Sequence, residues 1–172
     1  VATIQPMSIV YLNGEFLPRV HARLSVLDRG FLIGDGVYEV ILVYGGRLFR
    51  LERHLDRLDQ SLAGIRLANP HTHREWRNIL TQLVEQHGGD DQSLYLQVTR
   101  GAAPKRDHAF PDDTLPTVFA MSTPLTPNPP EVAEHGVAAI TLEDIRWKYC
   151  HIKAVTLLAN ALGQIEALTI GR

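Results

Sequence analysis

The stretch VYEVILVYGGRLFRLERHLDRLDQSLAGI, Val37 to Ile65, sets two different periods side by side. Val37–Tyr44 is rich in β-branched and aromatic residues, Gly45-Gly46 turns the chain, and Arg47–Leu51 alternates enough to return beside the first run as a hairpin. At Leu51 the period changes. Leu51, Leu55, Leu58, Leu62 and Ile65 recur at four- and three-residue spacing, which is one apolar stripe of a helix, and Asn69-Pro70 stops it. A hairpin that runs straight into an amphipathic helix predicts an antiparallel sheet with helices laid against it.

Both patterns repeat outward from this stretch. Ile9–Leu12 and Glu15–Leu17 flank Asn13-Gly14, a dipeptide that tolerates the positive φ angles of a tight hairpin. Thr72 with Glu75 reads as a capping box, and Trp76, Ile79, Leu80, Leu83 and Val84 supply a second buried helical face before Gly88-Gly89. Ser93–Arg100 sets Leu94, Leu96 and Val98 against Tyr95, Gln97 and Thr99, the period of a strand, and Thr117–Ser122 reads as another. Between them Gly101–Thr114 is a polar loop longer than a hairpin needs, and such loops often carry function.

The fold class expected is α+β: a small N-terminal domain, residues 1–123, of antiparallel sheet with two helices, and the start of a second, larger domain. Four of the ten prolines fall within PLTPNPP, Pro124 to Pro130, so residues 124–131 read as a stiff interdomain linker. Beyond it Val137–Leu142 reads as a strand and Val155–Leu168 as a helix with Leu158, Leu162 and Ile165 on one face. One strand and one helix cannot bury a core, so residues 132–172 are expected to begin a domain that continues past this chain.

Composition bounds the function. The 172 residues are 45% hydrophobic and 21% charged, which excludes a disordered, collagen-like or disulfide-scaffold protein. A net charge of −2 argues against a nucleic-acid partner. The lone Cys150 leaves no internal disulfide and no multi-thiolate metal site. No apolar run has the length of a membrane span, and Val1–Ser8 has no signal-peptide pattern, so a cytoplasmic protein with no membrane partner is expected.

Fourteen arginines stand against three lysines, Lys105, Lys148 and Lys153, so any Schiff-base chemistry must use one of the three. Lys153, between Ile152 and Ala154 and ahead of an apolar helix, is the best placed, because partial burial and the positive end of a helix dipole disfavour the ammonium form. On residue pattern alone it reads first as a lysine whose stem covers apolar surface while its head reaches water. Gly34-Asp35-Gly36 precedes a strand rather than a helix and has Glu39 where a third glycine is needed, so it reads as a turn and not a dinucleotide loop. Tyr38 lies on the strand face opposite Val37 and Glu39. Arg106 and His108, two apart in the long loop, read either as a fork for one anion or as solvated charge. His71 and His73 have metal-compatible spacing without a third ligand, and read as surface residues; no metal is expected.

Four motifs then fall into one order. DRGFLIGDGVYEV (Asp28–Val40), HLDRL (His54–Leu58), VTRGAAPKRDHAFP (Val98–Pro111) and EDIRWKYCHIKAVTLLANAL (Glu143–Leu162) resemble, in sequence and spacing, the fold-type IV (class IV) aminotransferases that use pyridoxal 5'-phosphate. Arg106-Asp107-His108 resembles the carboxylate trap of that family's D-amino acid transaminase branch. The resemblance implies that Lys153 carries the cofactor as a Schiff base and serves as the base of the 1,3-proton shift. It implies that Arg57 binds the cofactor phosphate, and that Tyr38, Arg106 and His108 hold the substrate carboxylate, the last two from the partner subunit of a homodimer. Arg146 resembles an active-site arginine beside the lysine and tyrosine. The implied reaction is transamination between a D-amino acid such as D-alanine and a 2-oxo acid such as 2-oxoglutarate. The alternatives are a branched-chain aminotransferase, an aminodeoxychorismate lyase, or a catalytically incompetent relative kept for binding or dimerisation. Relatives continue past Arg172 with the acidic partner of the pyridine nitrogen and most of the phosphate cup, so the chain reads as truncated.

Overall fold

Strand alternation decides which side chains the sheet buries. In the computed structural model, which describes residues 8–88, 91–111 and 113–170, β1 (Ile9–Leu12), β2 (Glu15–Pro18), β3 (Gly36–Tyr44), β4 (Arg47–Leu48), β5 (Gln92–Thr99) and β6 (Thr117–Pro124) form one antiparallel sheet in the order β2-β1-β6-β5-β3-β4. Pairing of β3 with β5, from Gly36 opposite Thr99 to Val43 opposite Gln92, puts Val37, Ile41, Val43, Leu94, Leu96 and Val98 on one face, all fully buried.

Two helices, α2 (Leu51–Gly64) and α3 (His73–His87), cover that face. Leu55, Leu58 and Leu62 of α2 and Trp76, Leu80 and Leu83 of α3 close the core, each burial stabilising the fold by roughly 1.5–3 kcal/mol. The capping box forms as expected: Glu75 N–H donates to the Thr72 hydroxyl, and Thr72 N–H donates to the Glu75 carboxylate at 2.7 Å. Gly88 ends α3 at φ 58°, while Gly89 lies outside the described residues.

The fold is α+β, with departures at particular elements. The return strand expected over Arg47–Leu51 is only Arg47–Leu48, because Arg50 adopts φ 52° and turns the chain so that Leu51 joins the apolar stripe of α2. A short helix, α1 (Arg29–Ile33), precedes β3. Asp28 caps it by accepting from Gly30 N–H at 2.8 Å, and Gly34 closes it at φ 72°, so Gly34-Asp35-Gly36 is a helix stop and strand start. Past Leu125, α4 (Pro130–His135) begins where proline is tolerated, in the first helical turn, and α5 runs Leu158–Ile170. The strand expected over Val137–Leu142 does not form. A strand needs a neighbour for its backbone groups, and this segment, with Val137 and Leu142 exposed, has none among the described residues.

Residues described up to Leu125 form one unit with Ile152–Val155, and those of Thr126–His151 and 156–170 form a second. No helix among the described residues is long and apolar enough to cross a membrane.

His71 is not a bare surface residue. It is half-buried, edge-on to Trp76 with ring centroids 4.6 Å apart and Nε2 3.3 Å from the Tyr11 hydroxyl. Burial pushes its pKa below the ordinary 6.5, with the Glu75 carboxylate pulling the other way. As pH falls the unfolded chain takes up this proton first. The stability contributed by neutral His71 is therefore full above about pH 6.5 and lost as pH drops from there through the folded-state value. His73, raised by its bond to Asp59, acts with the opposite sign. Urea unfolding between about pH 8 and pH 5 should show a shallower loss of stability in His71→Phe than in wild type. Identical slopes would remove His71 as the cause.

Candidate active site

The first half of β3 has a free edge beyond β4, and Ile152–Val155 occupies it. Tyr38 N–H donates to the Lys153 carbonyl at 3.0 Å, Val155 N–H donates to the Gly36 carbonyl at 3.1 Å, and Val37 bridges Ala154. Helix α2 fixes the same segment from its other side. Lys153 N–H donates to the buried Ser61 hydroxyl at 3.1 Å, and Gly64 lies so close to Ile152 that a Cβ there would meet it at 2.8 Å. Ile152 and Ala154 therefore point inward, and the Lys153 side chain goes to the opposite face, where Nζ sits 3.8 Å from the centroid of the Tyr38 ring. Tyr38 is itself stacked on Tyr95 at 5.7 Å. Lys153 is half-buried and has no carboxylate partner among the described residues.

Glu39, next to Tyr38, leaves the strand on the helix face and is fully buried. Arg57 of α2 donates to it twice, Nε to Oε1 at 2.6 Å and Nη2 to Oε2 at 2.5 Å, and His54 Nδ1 lies 2.9 Å from Oε2. That carboxylate raises the Arg57 pKa and fixes the plane of the guanidinium, while Nη1 has no partner among the described residues and the side chain is 47% exposed. Lys153 is thus paired to Tyr38 at the open edge of β3, and Arg57 is held to the next residue, Glu39, on the helix face.

Arg106 and His108 are exposed on the loop between β5 and β6, with Asp107 between them paired to Lys105 at 3.0 Å. Arg146 belongs to the second unit, where its guanidinium closes on Asp144 and draws that carboxyl down to about 2. Asp112, in the same loop, lies outside the described residues.

The sequence reading missed Glu39 and Ser61. Glu39 had a visible signal: period-2 alternation sets it among Val37, Ile41 and Val43 on the buried face, where a carboxylate requires partners. Ser61 had none, since its bond is to the backbone of a residue 92 positions away.

The donor set fits pyridoxal phosphate. A half-buried primary amine free of carboxylates suits a carbonyl, and an arginine with one open nitrogen and a fixed plane suits a phosphate.

The chain belongs to the class IV aminotransferase family, whose model, described as Amino-transferase class IV, matches residues 36–171. It is 40% identical over 162 residues to a D-alanine aminotransferase of Staphylococcus epidermidis, an alignment covering 94% of this chain and 57% of that protein. The chain therefore spans little more than half the length of this relative. Among solved structures, a hypothetical aminotransferase from Mycobacterium tuberculosis in its PLP-bound form aligns with TM-score 0.75 and 27% identity over 95% of this chain and 59% of the other. The branched-chain aminotransferase of the thermophilic archaeon Thermoproteus uzoniensis shares the fold, with TM-score 0.62 and 24% identity over 69% of this chain and 41% of that one.

Proposed function

We propose that this chain is the N-terminal part of a pyridoxal-phosphate-dependent D-amino acid transaminase, a cytoplasmic homodimer that exchanges the amino group of a D-amino acid such as D-alanine with a 2-oxo acid such as 2-oxoglutarate. The observation that carries the reading is the Lys153 amine, half-buried over Tyr38 without a carboxylate partner among the described residues, in a chain 40% identical to a D-alanine aminotransferase. Residues 1–123 are the small domain, 124–131 the linker and 132–172 the beginning of the cofactor-binding domain.

When bound, pyridoxal phosphate supplies the electron sink for the negative charge that develops at the substrate α-carbon. Lys153 Nζ would hold the cofactor, and the same amine would serve as the base that moves the proton at that carbon. Arg57, its plane set by Glu39, offers Nη1 to the phosphate. Tyr38, with Arg106 and His108 of the partner subunit, binds the substrate carboxylate, and Arg146 lies beside it. A clamp on the carboxylate decides which face of the α-carbon presents its hydrogen to the base, and so which enantiomer reacts.

Rates with D-alanine, L-leucine and aminodeoxychorismate, measured side by side on the full-length protein loaded with cofactor, test the reading. Turnover of D-alanine with 2-oxoglutarate is expected to dominate. Preference for L-leucine or aminodeoxychorismate would reassign the branch, and absence of any borohydride-reducible absorbance would favour a catalytically incompetent relative.

A further inference from the structure

Two buried arginines outside the proposed chemistry share one carboxylate. Asp35 accepts from Arg29 Nε at 2.7 Å and from Arg100 Nε at 2.8 Å, with Arg100 Nη2 at 3.2 Å. Arg29 is 3% and Arg100 5% exposed. One carboxylate cannot neutralise two guanidinium groups, so the remaining buried N–H donors need carbonyl oxygens. Arg100 takes those of Ile65, at 2.6 Å, and Arg66. Arg29 takes three consecutive ones from the long loop: Nη1 donates to Asp107 at 2.7 Å and to Ala109 at 3.1 Å, and Nη2 donates to His108 at 3.4 Å. The guanidinium of Arg100 also lies 3.8 Å from the ring centroid of Phe110.

The base of the loop is pinned to the same segment. Arg29 N–H donates to the Gly101 carbonyl at 2.9 Å, and Ala103 N–H donates to that of Leu27 at 3.3 Å. Gly101 takes φ 92°, and a Cβ there would stand 1.9 Å from the Leu115 carbonyl oxygen, so the entry to the loop admits only glycine.

We infer that Arg29 and Arg100, bridged by Asp35, are positioning residues that set the curl of residues 105–110 and thereby aim Arg106 and His108 at a substrate carboxylate; this rests on the proposed role of the loop. With the carbonyls of residues 107–109 turned inward onto Arg29, the side chains of Arg106 and His108 are left outward and exposed. The coupling runs both ways: burying Arg29 requires the loop carbonyls, and the loop conformation requires Arg29. Lysine cannot replace arginine here. Its single nitrogen keeps the charge facing Asp35 and loses the fork that reaches the three carbonyls.

The test uses the full-length, cofactor-loaded protein with Arg29→Lys, and Phe110→Leu as a second variant whose exposed position does not threaten folding. Hydrogen exchange of the amides of residues 105–110 should rise about 10-fold in Arg29→Lys and by less in Phe110→Leu, with α2 and α3 unchanged. KM for the amino acid and the 2-oxo acid should rise by about 10- to 100-fold while kcat and cofactor absorbance hold, since the chemistry is intact and only the clamp is misplaced. Adding Arg29→Lys to Arg106→Ala should raise KM no further than Arg106→Ala alone. Unchanged loop exchange in both variants, or additive losses in the double variant, overturns the inference. Faster loop exchange in Arg29→Lys alongside a wild-type KM for Arg106→Ala overturns instead the reading of the loop as substrate site.

Discussion

Replacing Lys153 with alanine in the full-length protein is expected to abolish transamination, by about 10⁴-fold or more, while the protein stays folded. The separation of the two effects follows from what Lys153 contributes to the fold. Its N–H bonds Ser61 and its carbonyl accepts from Tyr38, and both bonds belong to the backbone, which alanine retains. Only the contact of Nζ with the Tyr38 ring is lost, at a cost of about 0.5–1 kcal/mol for a partly exposed site. No other lysine is expected to take over. Lys105 sits on the exposed loop, paired to Asp107, and Lys148 stands five residues before Lys153 in the chain. Borohydride treatment of the wild type followed by peptide mass mapping should find the cofactor fixed on Lys153 alone. An adduct on Lys105 or Lys148, or transamination by Lys153→Ala within tenfold of wild type, would end the assignment.

Much of the sheet was legible because its signals are local. The capping box at Thr72–Glu75, the two hairpin turns and the alternation of Ser93–Arg100 each depend on neighbours within a few positions, and each formed. Local pattern failed where a backbone angle or a distant partner decided the outcome. Arg50 in a left-handed conformation shortened β4, and Val137–Leu142 had strand composition without a strand to pair with. The candidate site divides in the same way. Tyr38 and Arg57 sit on elements that periodicity located, whereas the meeting of Tyr38 with Lys153 joins residues 115 positions apart through an edge pairing that no local signal discloses. Charged residues on buried faces were the clue left unused. Glu39 in β3 and Arg100 immediately after β5 each interrupt an apolar alternation, and each belongs to a buried polar cluster.

Arg106→Ala is expected to lower kcat/KM for D-alanine by about thirty-fold to several-thousand-fold, the equivalent of the roughly 2–5 kcal/mol that follows when a charged group loses its partner. In this chain Arg106 is exposed and has no partner among the described residues, so its removal costs the fold little. Cofactor binding should be nearly unchanged, because in the proposed site Arg57 and Lys153 hold the cofactor and Arg106 meets only the substrate. Mixing then asks which subunit supplies the loop. If Arg106 of the partner subunit completes the site built on Lys153, a dimer of one Arg106→Ala and one Lys153→Ala protomer has one site with both residues intact and one with neither. Random reassortment makes half the dimers mixed, so activity should return to about a quarter of the wild-type value. If each subunit used its own loop, every site in the mixture would lack one residue and no activity would return. A wild-type rate for Arg106→Ala would remove the carboxylate trap altogether, since a bidentate donor facing a substrate anion cannot be deleted without loss.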